Sequence, residues 1–201
     1  MKLLIATRNP GKAKELQTLL RSLPEIRVAS LLDYPGIESV AETGSSFQEN
    51  AIEKAKAYSR EAHLWAIADD SGLEVDALDG RPGVLSARYG GAWQTDDDRV
   101  RLLLTELSGI RREKRSARFL SCVVLANQNG EILNVSEGIC EGSIATEARG
   151  HNGFGYDPIF VPAGYNLTFG ELSSDIKDQI SHRAKAFRLT KAFLVDYLDR
   201  A

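Results

Sequence analysis

A chain of 201 residues, 43% hydrophobic and 26% charged, has the composition of an ordinary globular protein, long enough to bury a core without disulfides or structural metal. A net charge of −3 with no Lys/Arg stripe excludes a duplex-binding surface, so no nucleic-acid partner is expected. Two cysteines, Cys122 and Cys140, make neither a disulfide framework nor the paired spacing of a zinc site; they read as buried thiols of a reducing compartment.

Residues 2 to 6 are a short apolar run, too short for a membrane span and without a cleavage-site pattern. A cytoplasmic protein with no membrane partner is therefore expected. The run reads as a buried first strand, closed by the turn Thr7-Arg8-Asn9-Pro10-Gly11. A helix is expected over residues 12 to 22 from the spacing of Leu16, Leu19, Leu20 and Leu23, then a strand over 27 to 31. Phe47, Ala51, Ala55, Tyr58 and Ala62 predict an amphipathic helix over 46 to 62, with Asn50 and Lys54 along the edge of its apolar stripe. A buried strand over 65 to 68 runs into Asp69-Asp70-Ser71-Gly72, where a sharp turn is expected. Residues 79 to 92 are a glycine-rich loop, and Thr95 or Asp96 caps a helix running to about Leu107. The cationic run from Arg111 to Arg115 reads as a polar loop. Residues 119 to 126 form a central strand, and Asn129-Gly130 turns a hairpin into residues 132 to 140. A glycine-rich loop over 150 to 156 precedes a strand over 158 to 161. Phe187, Leu194, Val195 and Leu198 mark a last helix with Ser181 or Asp178 near its cap. The pattern predicts an α/β protein with a mixed sheet, one domain over residues 1 to 201.

Three constellations carry chemistry. Thr7, Arg8, Asn9, Pro10, Gly11 and Lys12 lie between a strand and a helix, where backbone N–H groups and the helix dipole suit an anion. The same residues also fit a plain connecting turn capped by Asn9. It is not a Walker A loop, since Lys12 is followed by Ala13. Asp69 and Asp70 are adjacent carboxylates beside a core strand, costly unless paired, hydrated or metal-bound. With Glu42 they suit Mg²⁺, which takes one or two carboxylates plus phosphates and waters; a metal-free Asx-turn is the alternative. Finally, Gly150 to Pro158 sets Phe154 and Tyr156 among glycines, either to stack on a base or to plug the core. Lys177 could neutralise a phosphate, and His182 and Arg183 could donate hydrogen bonds.

Taken together the chain resembles the inosine triphosphate pyrophosphatase family, also called dITP/XTP pyrophosphatases. The matching stretches are Ala6 through Lys12, Glu42-Thr43-Gly44 with Phe47 and Glu49-Asn50-Ala51, and Ala68-Asp69-Asp70-Ser71-Gly72-Leu73. They continue with Pro82-Gly83, Ser86-Ala87-Arg88-Tyr89, Gly153-Phe154-Gly155-Tyr156-Asp157-Pro158 and Ser181-His182-Arg183, so they cover nearly the whole chain. The resemblance implies an elongated mixed α/β structure with a cleft between two lobes, a Mg²⁺-dependent reaction and a homodimer. It implies that ITP, dITP and XTP are hydrolysed to the monophosphate and pyrophosphate. It also implies that Thr7 to Lys12 cradle the triphosphate, that Glu42 and Asp70 bind Mg²⁺, and that Asp70 is the base for the attacking water. Ser71, Lys177 and Phe154, Gly155, Tyr156 and Asp157 would contact substrate, and His182 and Arg183 would read the purine.

Overall fold

The computed structural model describes residues 1–91 and 94–200; the loop expected over 79 to 92 lies within them except for its last residue. Among the described residues six strands are present: β1 (Lys2–Ile5), β2 (Arg27–Ser30), β3 (Trp65–Val75), β4 (Ser116–Ala126), β5 (Ile132–Ile144) and β6 (Phe160–Pro162). The helices are α1 (Pro10–Leu20), α2 (Phe47–Ala62), α3 (Asp96–Glu106), α4 (Ser174–Ile180) and α5 (His182–Asp199). The strand order is β2-β1-β3-β4-β5-β6. β1 runs parallel to β2 and β3, whereas β5 and β6 are antiparallel. β4 and β5 are neighbours joined by a five-residue turn, in which Asn127 N–H donates to the Glu131 carbonyl. So short a connection joins only antiparallel strands. The mixed α/β sheet is the expected one.

The chain divides into two compact units. The first comprises Met1–Asp70, Ser121–Gly138 and Arg183–Ala201; the second comprises Ser71–Leu120 and Ile139–His182. In the first unit strand alternation sorts two cores. Leu3, Ile5, Ile67, Val123 and Leu125 pack with apolar residues of α1 and α5. Leu4, Ala6, Ala66, Ala68, Cys122 and Val124 pack with Ala51, Ala55 and Tyr58 of α2. Successive side chains of a strand point to opposite faces, so each strand feeds both cores. The second unit has its own core, in which Phe119, Phe160 and Phe169 meet in ring contacts.

Several local expectations change. α1 begins at Pro10, not residue 12, because Pro is suited to the first helical position and the Asn9 side chain caps it by accepting Lys12 N–H at 3.0 Å. β3 does not end at Ala68: strand pairing carries it straight through Asp69-Asp70-Ser71-Gly72 to Val75, so the expected sharp turn is absent. β4 starts at Ser116 and β5 extends to Ile144. Within the loop after β3, residues Gly83–Arg88 form a 3-10 turn. A further 3-10 turn, Asp157–Ile159, comes before the last strand, which begins at Phe160. Asp178 lies inside α4, a helix the sequence reading missed, and Ser181 ends it. Val195 is exposed on α5 rather than part of its buried stripe. Arg115 is no solvated loop residue: it is buried and donates to the carbonyls of Leu107, Ile110 and Ala145.

Candidate active site

Asp69 and Asp70 are consecutive on β3, so their carboxylates face opposite sides of the strand. Asp69 is on the α1/α5 side. Its Oδ2 lies 2.9 Å from Lys12 Nζ and 3.3 Å from the Arg183 guanidinium, and its Oδ1 accepts the Ser121 hydroxyl. Arg183 in turn donates to Glu15 of α1. Burial disfavours an ionised Asp69, but the charges of Arg183 and Lys12 and the Ser121 hydroxyl outweigh it and hold the carboxyl well below the usual range. Asp69 is thus held as a carboxylate between α1 and α5.

Asp70 is on the α2 side. Lys54 Nζ donates to Asp70 Oδ1 at 2.8 Å, to Glu42 Oε1 at 2.8 Å and to the Asp69 carbonyl at 2.9 Å. Asn50 Nδ2 donates to Asp70 Oδ2 at 3.2 Å, while its Oδ1 accepts Gly44 N–H at 2.8 Å. The residue at 44 must be small here, because a Cβ would lie 2.7 Å from Asn50 Oδ1. Asn50 and Lys54 are one turn apart on α2 and both are buried, not merely at the stripe edge. Burial pushes the Asp70 carboxyl above its ordinary value, against the pull of Lys54 and Lys12. Burial also opposes the Lys54 charge, but Asp70 and Glu42 prevail and its ammonium holds its proton more tightly than usual.

Glu42, Asp70 and the Asp69 carbonyl thus converge on one cationic point. Hard oxygens around a positive centre suit Mg²⁺, for which two carboxylates from the protein suffice when phosphates and water complete the shell. No group of three or more His, Cys, Asp or Glu side chains gathers for a metal among the described residues. Two carboxylates and a backbone carbonyl are hard oxygen donors of the kind a divalent cation takes.

In the proposed phosphate loop, Asn9 N–H donates to Thr7 Oγ1 at 3.2 Å, and Arg8 donates to the Ile37 carbonyl. Pro10 and Gly11 open α1. Lys12, with its side chain 14% exposed, is drawn onto Asp69.

The second unit places the remaining residues. Ser71 is half-buried on β3. Asp157 is buried; its carboxylate accepts Phe154 N–H at 2.8 Å and pairs with Lys177. Gly153 has φ +76°, and a Cβ there would meet the Asp157 carboxylate, so glycine is required. The Lys177 ammonium lies 4.7 Å from the centroid of the half-buried Phe154 ring. Gly155 N–H donates to Asp96 Oδ2 at 2.7 Å. Tyr156 is a core residue whose hydroxyl donates to the Ser86 carbonyl at 3.0 Å. His182 stacks on Phe119, with centroids 4.7 Å apart and planes 12° apart.

As site residues, sequence reasoning did not single out Ser121 or Glu15, and it took Asp96 only as a possible helix cap. Ser121 had a visible signal, a lone hydroxyl in an apolar strand. Glu15 and Asp96 had none, because acids on helix surfaces are ordinary.

A family model described as the Ham1 family matches residues 3–193. A dITP/XTP pyrophosphatase of Exiguobacterium sp. is 46% identical over 198 residues, covering 98% of this chain and 99% of its own. A protein of that name from Bacillus anthracis is 48% identical over 185 residues, covering 92% and 91%. Among solved structures, a HAM1 protein from Coxiella burnetii superposes with a TM-score of 0.87 at 40% identity, covering 98% of this chain and 99% of that one. A nucleoside-triphosphatase / dITP/XTP pyrophosphatase from Mycobacterium abscessus gives 0.74 at 47% identity, covering 94% and 97%. With sequence and fold matched over nearly its whole length, this chain belongs to the Ham1 family.

Proposed function

We propose that the protein hydrolyses non-standard purine nucleoside triphosphates, namely ITP, dITP and XTP, to the monophosphate and pyrophosphate, and so cleanses the nucleotide pool. One observation carries this reading. Two buried carboxylates, Asp69 and Asp70, hold separate sets of cations in a chain whose relatives bear the pyrophosphatase name.

In the reaction, water attacks the α-phosphorus and pyrophosphate leaves. Asp70 takes the proton of that water, and burial, which raises its affinity for protons, strengthens it as a base. Negative charge grows on the leaving pyrophosphate, and Lys12 with the Thr7–Arg8–Asn9–Pro10–Gly11 loop would stabilise it. Mg²⁺ held by Glu42 and Asp70 would supply Lewis-acid polarisation of phosphate oxygens and a lower pKa for bound water. In the second unit, Ser71, Phe154, Gly155, Asp157 and Lys177 are assigned to substrate contact, and the core residue Tyr156 to supporting their loop from beneath. The purine is assigned to His182 and Arg183; because Arg183 already serves two carboxylates, the assignment falls first on His182. Donors aimed at a 6-oxo group would face the 6-amino group of adenine and lose their partners, at roughly 1–3 kcal/mol for each one left buried.

Two buried cysteine side chains outside any disulfide support a cytoplasmic setting. The homodimer rests on the resemblance, and light scattering of the full chain tests it. The decisive experiment for the activity is a panel of common and deaminated NTPs with Mg²⁺, scoring both products. Pyrophosphate from ITP, dITP and XTP in preference to ATP and GTP is expected. Orthophosphate alone refutes the reaction, and equal rates on all purines refute the selectivity.

A further inference from the structure

Lys54 occupies the point where the oxygens of the carboxylate centre meet. Its three ammonium donors are matched by three acceptors: Glu42 Oε1, Asp70 Oδ1 and the Asp69 carbonyl. The side chains of Lys54 and Asp70 are only 9% and 7% exposed, and that of Glu42 is 30% exposed. The second Asp70 oxygen is taken by Asn50, whose amide oxygen also holds Gly44, two residues from Glu42. Asp70 and the backbone next to Glu42 are therefore held by Asn50, one turn of α2 before the residue that delivers the ammonium. An assembly of hard oxygens around a positive centre is also what a divalent cation requires. The position cannot hold both at once, because a divalent ion and an ammonium a few ångströms apart in a dry site repel strongly.

We infer that Lys54 is a built-in placeholder for the divalent cation. In the nucleotide-free protein its ammonium keeps the oxygen-lined position between Glu42 and Asp70, and the divalent ion enters when a triphosphate draws that ammonium onto its own oxygens. The inference rests on the reading of Glu42 and Asp70 as cation ligands, and adds to it a residue that makes metal binding depend on nucleotide. Without the ammonium, two carboxylates would share a largely buried site with the Lys12 charge left to offset Asp70, which is costly. With it, the free protein is stable without metal, and nucleotide and metal raise each other's affinity by the same factor.

The test follows Mn²⁺, which shares the preference for carboxylate and carbonyl oxygens and is read as free ion by electron paramagnetic resonance. Nucleotide-free wild type and Lys54→Met are titrated with Mn²⁺, and their thermal unfolding is followed with and without the ion. Removing one cation from the site is expected to tighten Mn²⁺ binding by about tenfold or more. Mn²⁺ is also expected to raise the melting temperature of the variant more than that of wild type. The gain is expected to vanish in Glu42→Gln/Lys54→Met. Equal or weaker Mn²⁺ binding by Lys54→Met overturns the placeholder, and Lys54→Gln gives the same reading if the methionine variant does not fold. In wild type, an ITP analogue with a non-hydrolysable α–β bridge is expected to tighten Mn²⁺ binding; unchanged affinity overturns the coupling. The two readings fail separately. If Mn²⁺ in the wild-type ternary complex responds to Glu42→Gln but Lys54→Met gains nothing, only the placeholder falls. If it ignores Glu42→Gln, the ligand assignment falls and the placeholder with it.

Discussion

Replacing Arg183 by methionine keeps the aliphatic stem and deletes the guanidinium from a site where its side chain is 2% exposed. The guanidinium lies between Glu15, 15% exposed, and Asp69, which is fully buried. Asp69 would retain Lys12 and Ser121, whereas Glu15 would lose a buried cation. Breaking a buried ion pair by removing one partner costs about 3–5 kcal/mol. For a chain of this size each kcal/mol moves the melting temperature by about 2–4 °C, so a fall of roughly 6–20 °C is expected. Thermal unfolding followed by circular dichroism measures it. Asp69→Asn combined with Arg183→Met should cost less than the sum of the two, by about 0.5–3 kcal/mol, because both changes act on one contact. A melting temperature within about 2 °C of wild type, or strict additivity in the double variant, would refute the view that this network holds α5 to α1 and β3.

Asp70→Asn should leave the circular dichroism spectrum intact and lower turnover of ITP by about 10²–10⁴-fold, the usual worth of a general base; a fully active variant removes Asp70 from that role. Acid stability should report Asp69. Its carboxyl is held below its unfolded value, so the unfolded chain binds the extra proton and the stabilisation is complete above the ordinary carboxylate pKa of about 3.9. It is lost as the pH falls below that value, so the urea midpoint of wild type should drop more steeply on acidification than that of Asp69→Asn; parallel curves would contradict the assignment. Burial pushes the Cys122 thiol up to about 12, so alkylation at pH 8 should wait for unfolding, and rapid labelling of the native protein by iodoacetamide at this residue would count against the packing.

The regular elements were legible where period and burial agreed. Residues 47–62 show apolar side chains at helical spacing, and the helix forms with its expected limits to within one residue. The strand ends were less legible, for a physical reason. Asp69-Asp70-Ser71-Gly72 reads locally as a turn, because those residue types satisfy their own backbone. Pairing with neighbouring strands, together with cations supplied from α1, α2 and α5, overrides that preference. Both are long-range facts that no window of sequence contains. Arg115 was misread for the same reason: its charged neighbours suggest a solvated run, but its carbonyl partners lie at residues 107, 110 and 145. Tyr156 follows the core-plug alternative for one of the two loop aromatics, while Phe154 keeps part of its ring exposed.

The placement of the two aspartates within a strand has a consequence that a turn would not. In a turn, adjacent carboxylates can share a site, where their repulsion disfavours ionisation of one of them. In β3 alternation is compulsory, so Asp69 must face α1 and α5 if Asp70 faces α2. The same alternation that sends Ile67 to one core and Ala68 to the other carries on into the charged pair. Each carboxylate then takes the cations of its own side: Lys12 and Arg183 for Asp69, Lys54 for Asp70. Burial is common to both, yet their proton affinities move in opposite directions, because Asp69 is contacted by two cations, whereas Asp70 shares its one contacting cation with Glu42 and feels Lys12 only through its charge. Asp69→Asn and Asp70→Asn should therefore differ in kind, the first lowering stability and the second lowering turnover. A strand residue inserted between them would put both on one face and erase that difference.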